Sequence, residues 1–203
     1  MILKCEVFEY IPMNAYFYID DETRHGFLID PGAEADKLLR TIEYQKLMIE
    51  KILLTHGHFD HIGAVEELQK KLHVPVYMQI NGADYVENPD WNLSQEIILK
   101  GVNYIDDCEI ILKANPKFKL QMISTPGHTT DGAIFYNADD SIAFVGDTIF
   151  QGSYGRTDFA GGNEKILFES ITKKILTLPD DTILYPGHGE STTVKAEKIF
   201  YFS

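Results

Sequence analysis

The pattern of hydrophobic and polar positions predicts a β-rich beginning, followed by alternating helices and strands. Residues 2–8, 14–20 and 25–30 are rich in Ile, Val, Phe and Tyr, and turn-forming clusters separate them. Runs of this kind are typical of strands, and we expect the three to form a meander. Apolar residues then recur at helical spacing over 34–48, and a short apolar run over 51–55 predicts a buried strand.

The same alternation continues along the rest of the chain. Ile62, Val65 and Leu68 fall on one face of a helix predicted over 60–72, and a strand is predicted over 74–78. Further strands are predicted over 109–112, 118–124, 132–137, 141–146 and 182–185, and further helices over 164–178 and 192–200. Residues 81–104 contain NPDWNLS, which breaks any regular pattern and predicts an irregular loop.

The order of these elements predicts the α+β fold class. Each half of the chain gives strands, then a helix, then a strand that ends at a histidine. Two stacked sheets with helices on their outer faces would bury the apolar face of every element. Because the chain has 203 residues and is 44% hydrophobic, we expect one domain over 1–203 with a substantial core.

Composition narrows the classes of partner. The chain carries 18 basic and 31 acidic side chains, and its formal net charge is -13. This charge repels phosphate backbones and anionic lipids, so we expect no nucleic-acid or membrane partner. Residues 1–20 are charged and have no unbroken apolar run, which predicts neither a signal peptide nor a membrane span, and therefore a cytoplasmic protein. Cys5 and Cys108 lack ligand spacing and are expected to be buried.

Candidate chemistry begins with residues 56–61, which read HGHFDH and hold three of the seven histidines. His56 and His58 directly follow a predicted strand, whereas Asp60 and His61 open the next helix. Their side chains therefore converge on a small volume. Imidazole nitrogens and carboxylate oxygens are the ligands that suit zinc, iron or manganese, so this segment predicts a metal site.

Two further histidines stand in a repeated context, TPGH and PGH, each just after a strand-like run. Either one alone favours a structural role, but next to the HGHFDH segment His128 and His188 become candidate ligands. Asp147 ends an apolar strand, where a buried carboxylate would be costly without a cation. His25 and His73 lack such settings and are expected to be structural.

The motifs THGHFDH, TPGHT, GDT and PGHG, in this order, resemble those of the metallo-β-lactamase fold superfamily, and the match spans nearly the whole chain. Within that superfamily, FVGDTIFQGSYGRTDFAGG and LPDDTILYPGHGESTT resemble the short glyoxalase II-like hydrolases and, less closely, the persulfide dioxygenases. The resemblance implies a four-layer αββα sandwich with metal ions at one edge.

The resemblance also implies a ligand set for two divalent metal ions, zinc by preference, with iron or manganese as alternatives. One ion would be held by His56, His58 and His128, the other by Asp60, His61 and His188, with Asp147 between them. Asp30 matches a position whose carboxylate orients a ligand imidazole. A turn carboxylate before Pro31 is an equal alternative for Asp30.

The implied reaction is that of a hydroxyacylglutathione hydrolase, in which metal-bound hydroxide attacks a small thioester or ester carbonyl. Asp60 and Asp147 are the expected catalytic carboxylates, and Asp60 could also relay a proton. Arg156 and Tyr154 are the expected substrate contacts, although Arg156 is equally suited to an ion pair with Asp158.

Substrate is where this chain departs from full-length glyoxalase II, which carries a helical extension after its last metal histidine. Only residues 189–203 follow His188, so we expect part of the glutathione surface to be missing. A persulfide dioxygenase with a single iron on His56, His128 and Asp147 stays open as an alternative, as does a non-catalytic metal-binding protein. A β-lactamase is disfavoured by Asp147 and by the lack of an export signal.

Overall fold

The computed structural model describes residues 1–202 and contains two stacked six-stranded sheets. The first sheet has its strands in chain order: β1 (Ile2–Phe8), β2 (Pro12–Ile19), β3 (His25–Ile29), β4 (Met48–Leu53), β5 (Val76–Gln79) and β6 (Val102–Ile105). Strands β1 to β3 are antiparallel, as the predicted meander requires, and β3 to β6 are parallel.

The second sheet has the order β14-β13-β10-β9-β8-β7. Its strands are β7 (Glu109–Ile111), β8 (Lys119–Ser124), β9 (Ala133–Asn137), β10 (Ile142–Gly146), β13 (Ile183–Pro186) and β14 (Thr192–Thr193). A small hairpin of β11 (Ile149–Phe150) and β12 (Ser153–Tyr154) lies between β10 and β13 in the chain. Strands β10 and β13 are parallel, so this sheet is mixed like the first.

Helices cover the outer faces of both sheets. The first sheet is covered by α1 (Ala35–Gln45) and α3 (Val65–Leu72), and the second by α5 (Glu164–Ser170), its π-helical continuation (Ile171–Ile175) and α6 (Val194–Phe202). Short helices α2 (Phe59–Ile62) and α4 (Ala83–Val86) lie in loops. The expected α+β sandwich, with two mixed sheets and helices outside, is confirmed.

Side-chain alternation along β2 shows how the layers form. Phe17 packs under the first pair of helices, whereas Tyr16 and Tyr18 point into the core between the sheets, where they meet Phe144. Successive residues of a strand face opposite sides, so one strand contributes to two cores. All four side chains are at most 2% exposed.

The predicted helix over 60–72 is instead two helices, because the chain breaks at Gly63. A Cβ at Gly63 would lie 2.3 Å from the carbonyl oxygen of Gly32, and the neighbouring Ala64 N–H donates to Pro31 O over 3.0 Å. This contact with the turn after β3 interrupts the helix. Residues 81–104 also hold more structure than expected, since they include all of α4 and the first three residues of β6.

Cys5 is partly buried but Cys108 is exposed in the turn before β7, so the expectation that both are buried was wrong. His25 opens β3, with Nδ1 2.8 Å from Glu50 Oε1, and His73 caps α3. Within residues 1–202, no helix is both long enough and apolar enough to cross a bilayer.

Candidate metal centre

The candidate ligands gather at one edge of the sandwich because several strands end there. Strands β3 and β4 are parallel, and so are β10 and β13, so each pair delivers its following loop to a common edge. The loops after these strands carry Asp30, residues 56–61, Asp147 and His188. The loop after β8 adds His128.

Asp30 anchors the loop that follows β4. Its carboxylate accepts hydrogen bonds from the Thr55 backbone N–H (2.7 Å) and the Thr55 hydroxyl (2.6 Å). The second oxygen also lies 2.9 Å from His61 Nδ1. Asp30 adopts a φ of 48°, a left-handed conformation that Asp tolerates better than most residues. The structure thus places Asp30 against a ligand imidazole as well as in the turn.

The structure brings all seven candidate ligands together. In each of three groups, ligand atoms lie within 4.8 Å of one another: His56, His58 and His128; His56, His61 and Asp147; and Asp60, His61 and His188. Asp147 lies at the centre, with Oδ1 3.4 Å from His61 Nε2, and Oδ2 3.5 Å from His188 Nε2 and 3.8 Å from His128 Nε2. This arrangement offers two neighbouring positions for a cation.

Hydrogen bonds from outside the cluster orient three of the imidazoles. Nδ1 of His61 faces Asp30, Nδ1 of His128 lies 2.6 Å from Arg156 O, and Nδ1 of His188 lies 2.7 Å from Pro12 O. A carbonyl or carboxylate acceptor places the proton on Nδ1 and leaves Nε2 free as a ligand atom. All three Nε2 atoms face the centre.

Buried polar atoms without partners show that the site fits a divalent metal ion. Nε2 of His56, Nε2 of His61 and Oδ1 of Asp147 are buried and have no hydrogen-bond partner among the described residues. Leaving such an atom unpaired costs about 1–3 kcal/mol, and cations held within the cluster would satisfy all three. Gly187 keeps this space open, because a Cβ there would lie 2.5 Å from Asp147 Oδ1.

Electrostatics agree with that fit. Burial and the neighbouring imidazoles lower the pKa of His56 well below its usual value, and that of His58 to about 3. Both rings are therefore neutral, as metal ligands must be. Burial would raise the pKa of Asp147, but His61 and His188 hold it well below its usual value.

His61 is the group that a metal ion would deprotonate. Burial would lower its pKa, but Asp147, Asp30 and Asp60 together raise it well above the usual value. A proton on His61 therefore compensates the buried carboxylates. A divalent cation provides the same compensation more strongly, so binding of metal displaces this proton.

A cavity of about 910 Å³ opens onto the cluster. Its wall has apolar side chains from several loops: Ile11, Phe59, Leu93, Phe150 and Phe159. The predicted substrate contacts Arg156 and Tyr154 both line it, and the Tyr154 hydroxyl donates to Glu164 over 3.2 Å. Trp91 is not part of this lining and packs against Tyr85, with 5.3 Å between the ring centroids.

Some residues of this site were missed by sequence reasoning. Phe59 lies inside the HGHFDH segment, where a single apolar residue between metal-ligand types gives no pattern that indicates its contact with the cavity. Leu93 comes from the irregular stretch over 81–104 and has a φ of 67°. The Pro12 carbonyl, which orients His188 from 176 positions away in the chain, left no local signal.

Fold and site together define a class. The chain matches the family model of the metallo-β-lactamase superfamily over residues 12–188, and it belongs to that superfamily. It is 38% identical to the probable metallo-hydrolase YqgX of Bacillus subtilis, over 93% of this chain and 90% of that protein. It is 34% identical to the hydroxyacylglutathione hydrolase GloC of Haemophilus influenzae, over 94% of each. The chain is therefore related to metallo-hydrolases of this superfamily.

Solved structures give the same fold. The crystal structure of the BLEG-1 B3 metallo-β-lactamase superposes with a TM-score of 0.91 at 32% identity, over 98% of this chain and 97% of that one. TTHA1623, solved in a di-iron-bound form, superposes with a TM-score of 0.82 at 34% identity, over 96% of each chain. The His and Asp groups of the present chain suit divalent metals. Of these two relatives, one is named a β-lactamase and the other is described by its two iron ions.

Proposed function

We propose that this protein is a metal-dependent hydrolase of small thioesters or esters, of the glyoxalase II type. The observation that carries the proposal is the opening of a largely apolar cavity directly onto two adjoining ligand groups. His56, His58 and His128 would hold one divalent ion, and Asp60, His61 and His188 the other, and Asp147 would be a further ligand. Zinc is the favoured metal, and iron or manganese would also suit these ligands.

Divalent ions in such a site supply a nucleophile at neutral pH, by lowering the pKa of water, and polarise a carbonyl oxygen. The chain's own residues do the rest. The apolar wall excludes bulk water and positions the acyl group, and Asp30 and the Arg156 and Pro12 carbonyls keep the imidazoles in their ligand tautomers.

In the hydrolysis, water adds its oxygen to the acyl carbon, the carbon–sulfur bond breaks, and a carboxylic acid and a thiol form. One proton of the water passes to the departing sulfur. Asp60 lines the cavity, so this carboxylate can take the proton and return it to the sulfur. The GloC relative, which is named a hydroxyacylglutathione hydrolase, supports a thioester substrate.

Hydrolysis of S-lactoylglutathione by purified protein of measured metal content tests the proposal. We expect turnover in the metal-loaded protein and a loss of at least about a hundredfold in Asp147→Asn, together with loss of metal. Asp180→Asn is the matched control, since it removes one carboxylate from an exposed ion pair with Lys198. Absence of turnover on thioesters and on simple esters, in fully loaded wild type, would rule the proposal out.

A β-lactamase is a second candidate because the BLEG-1 enzyme shares the fold at 32% identity. A chromogenic cephalosporin assayed beside the thioester distinguishes the two. The single-iron persulfide dioxygenase is disfavoured by the complete second group, in which Asp60, His61 and His188 are poised for another ion. Oxygen consumption with a persulfide, together with one iron per chain, would favour the dioxygenase over the hydrolase.

A further inference from the structure

The β11–β12 hairpin forms part of the cavity wall but is too short to hold its own position. Phe150, Ser153 and Tyr154 of this hairpin line the cavity. Its strands pair through two residues each, and a two-stranded hairpin is at best marginally stable in water by itself. Buried Ile149 anchors the base of the hairpin. The turn at Gly152 is exposed, so it needs support from another element.

That support comes from α6, the helix that directly follows β14. Glu197 Oε2 accepts a hydrogen bond from the Gly152 backbone N–H over 3.0 Å, and Glu197 Oε1 accepts one from the Thr192 hydroxyl over 2.6 Å. Further along the same helix, the Tyr201 hydroxyl donates to Ser153 O over 3.3 Å. Two side chains of α6 therefore hold the turn of the hairpin in place.

Burial of the Glu197 carboxylate is costly, which points to a specific task. Its side chain belongs to a residue that is 2% exposed, and both of its hydrogen-bond partners are neutral groups. Burial of a carboxylate without a cation costs free energy that an apolar side chain at the same position would not cost. The helix dipole favours an acidic residue in the first turn, where Glu197 lies. A solvent-exposed carboxylate would gain as much from the dipole, so the dipole does not explain the contact with Gly152.

We propose that Glu197 is a positioning residue for substrate binding, which fixes the turn of the β11–β12 hairpin and so places Phe150 and Tyr154 in the cavity wall. The inference rests on the proposed thioester hydrolysis for the reaction in which it is measured. Glu197 is not among the described residues that line the cavity, so it acts through the hairpin. A loosened wall would bind the substrate and its transition state equally less well, which raises KM and leaves kcat unchanged.

Three variants of the metal-loaded protein, assayed with S-lactoylglutathione, test the inference. Glu197→Leu removes both acceptors and should raise KM about three- to tenfold, with kcat and metal content within about twofold of wild type. Glu197→Gln should restore KM, because its amide oxygen can accept from the Gly152 N–H while its amide N–H donates to the Thr192 hydroxyl oxygen. Thr192→Val is the matched control, since this isosteric change removes the other bond of Glu197 and leaves the one to Gly152. Its KM should equal that of wild type even where its melting temperature falls.

Hydrogen exchange of the Gly152 amide, followed by NMR, measures the contact independently of activity. We expect slow exchange in wild type and in Glu197→Gln, although the turn is exposed, and fast exchange in Glu197→Leu. If Glu197→Leu does not fold, Tyr201→Phe replaces it, since it removes only the hydroxyl that bonds Ser153 O, and its KM should rise about twofold.

The inference is overturned by fast exchange of the Gly152 amide in wild type, by an unchanged KM in the folded variant that is used, or by an equal rise of KM in Thr192→Val. If the amide exchanges as expected in every variant but wild type hydrolyses no thioester, the proposed function fails while the support of the hairpin by Glu197 stands.

Discussion

Asp131 is a fully buried carboxyl group that is not among the candidate metal ligands. It is 0% exposed, and neither oxygen has a hydrogen-bond partner among the described residues. Burial raises its pKa from 3.8 to about 7. A group whose pKa is raised on folding destabilises the folded state once the unfolded chain has ionised. Stability should therefore fall as the pH rises from about 4 to about 7, and then level off.

Replacement of Asp131 by Asn should remove this pH dependence. Relative to wild type, Asp131→Asn should gain stability from pH 4 to pH 7, by on the order of 4 kcal/mol in full, since each pKa unit is worth about 1.4 kcal/mol. Urea unfolding at pH 4, 6 and 8 measures the gain. Asp106→Asn, at an exposed position between β6 and β7, is the control. A gain that is the same at all three pH values would contradict the assignment.

Asp30 would act on a bound metal ion through His61, and this effect can be separated from its part in the turn. Asn also tolerates the left-handed φ of 48°, so Asp30→Asn retains the backbone conformation. It loses one of the two acceptors for Thr55 and the charge that holds the His61 imidazole. We expect metal affinity to fall about 10- to 100-fold, measured by competition with a chromogenic chelator. Native affinity in a folded Asp30→Asn variant would leave Asp30 as a turn residue only.

At the scale of the element, the break between α2 and α3 presents the ligands. Gly63 has an ordinary helical φ of -59°, so Gly63→Ala brings no backbone strain, and its Cβ would meet Gly32 O at 2.3 Å. We expect a loss of about 1–3 kcal/mol in stability from overpacking, and weaker metal binding because Asp60 and His61 lie on α2. Thermal unfolding and chelator competition measure the two effects.

Gly152→Ala is the complementary control for that prediction. Gly152 has a φ of 66°, but no heavy atom lies within 4 Å of the position that a Cβ would take, so the variant bears backbone strain without a clash. It should cost about 1–2 kcal/mol and leave metal affinity unchanged. Equal loss of metal binding in both variants would show that the close contact at Gly63 does not position α2.

The same break shows which parts of the elements were predictable. Periodicity located the strands and helices that bury an apolar face, because burial imposes that periodicity on the sequence. The periodicity predicted α2 and α3 as one helix, since the break at Gly63 depends on a contact with Gly32, which is distant in sequence. It also missed β6 and the β11–β12 hairpin, whose short runs carry too few positions to show a period.

At the scale of the whole molecule, the candidate ligands were predictable because their motifs are local and each follows a strand. The contacts that hold these ligands in place were not predictable, because they join loops that are distant in the sequence. The Asn14 backbone N–H donates to Gly187 O over 2.8 Å, and the Asn14 side chain donates to Gly189 O over 2.9 Å. These bonds join β2 of the first sheet to the loop carrying His188, a pairing that no local pattern indicates.

The metal centre spans both sheets, so metal should stabilise the whole molecule. His56, His58, Asp60 and His61 follow the first sheet, whereas His128, Asp147 and His188 follow strands of the second. An ion that binds only the folded state adds about 4 kcal/mol at a thousandfold excess over its dissociation constant. Chelator treatment should therefore lower the melting temperature, and restored metal should raise it again. Asp147→Ala, which lacks the central ligand, should show a smaller effect of chelator on its melting temperature than wild type does. A wild type whose melting temperature ignores chelator would mean that the ions do not link the two sheets.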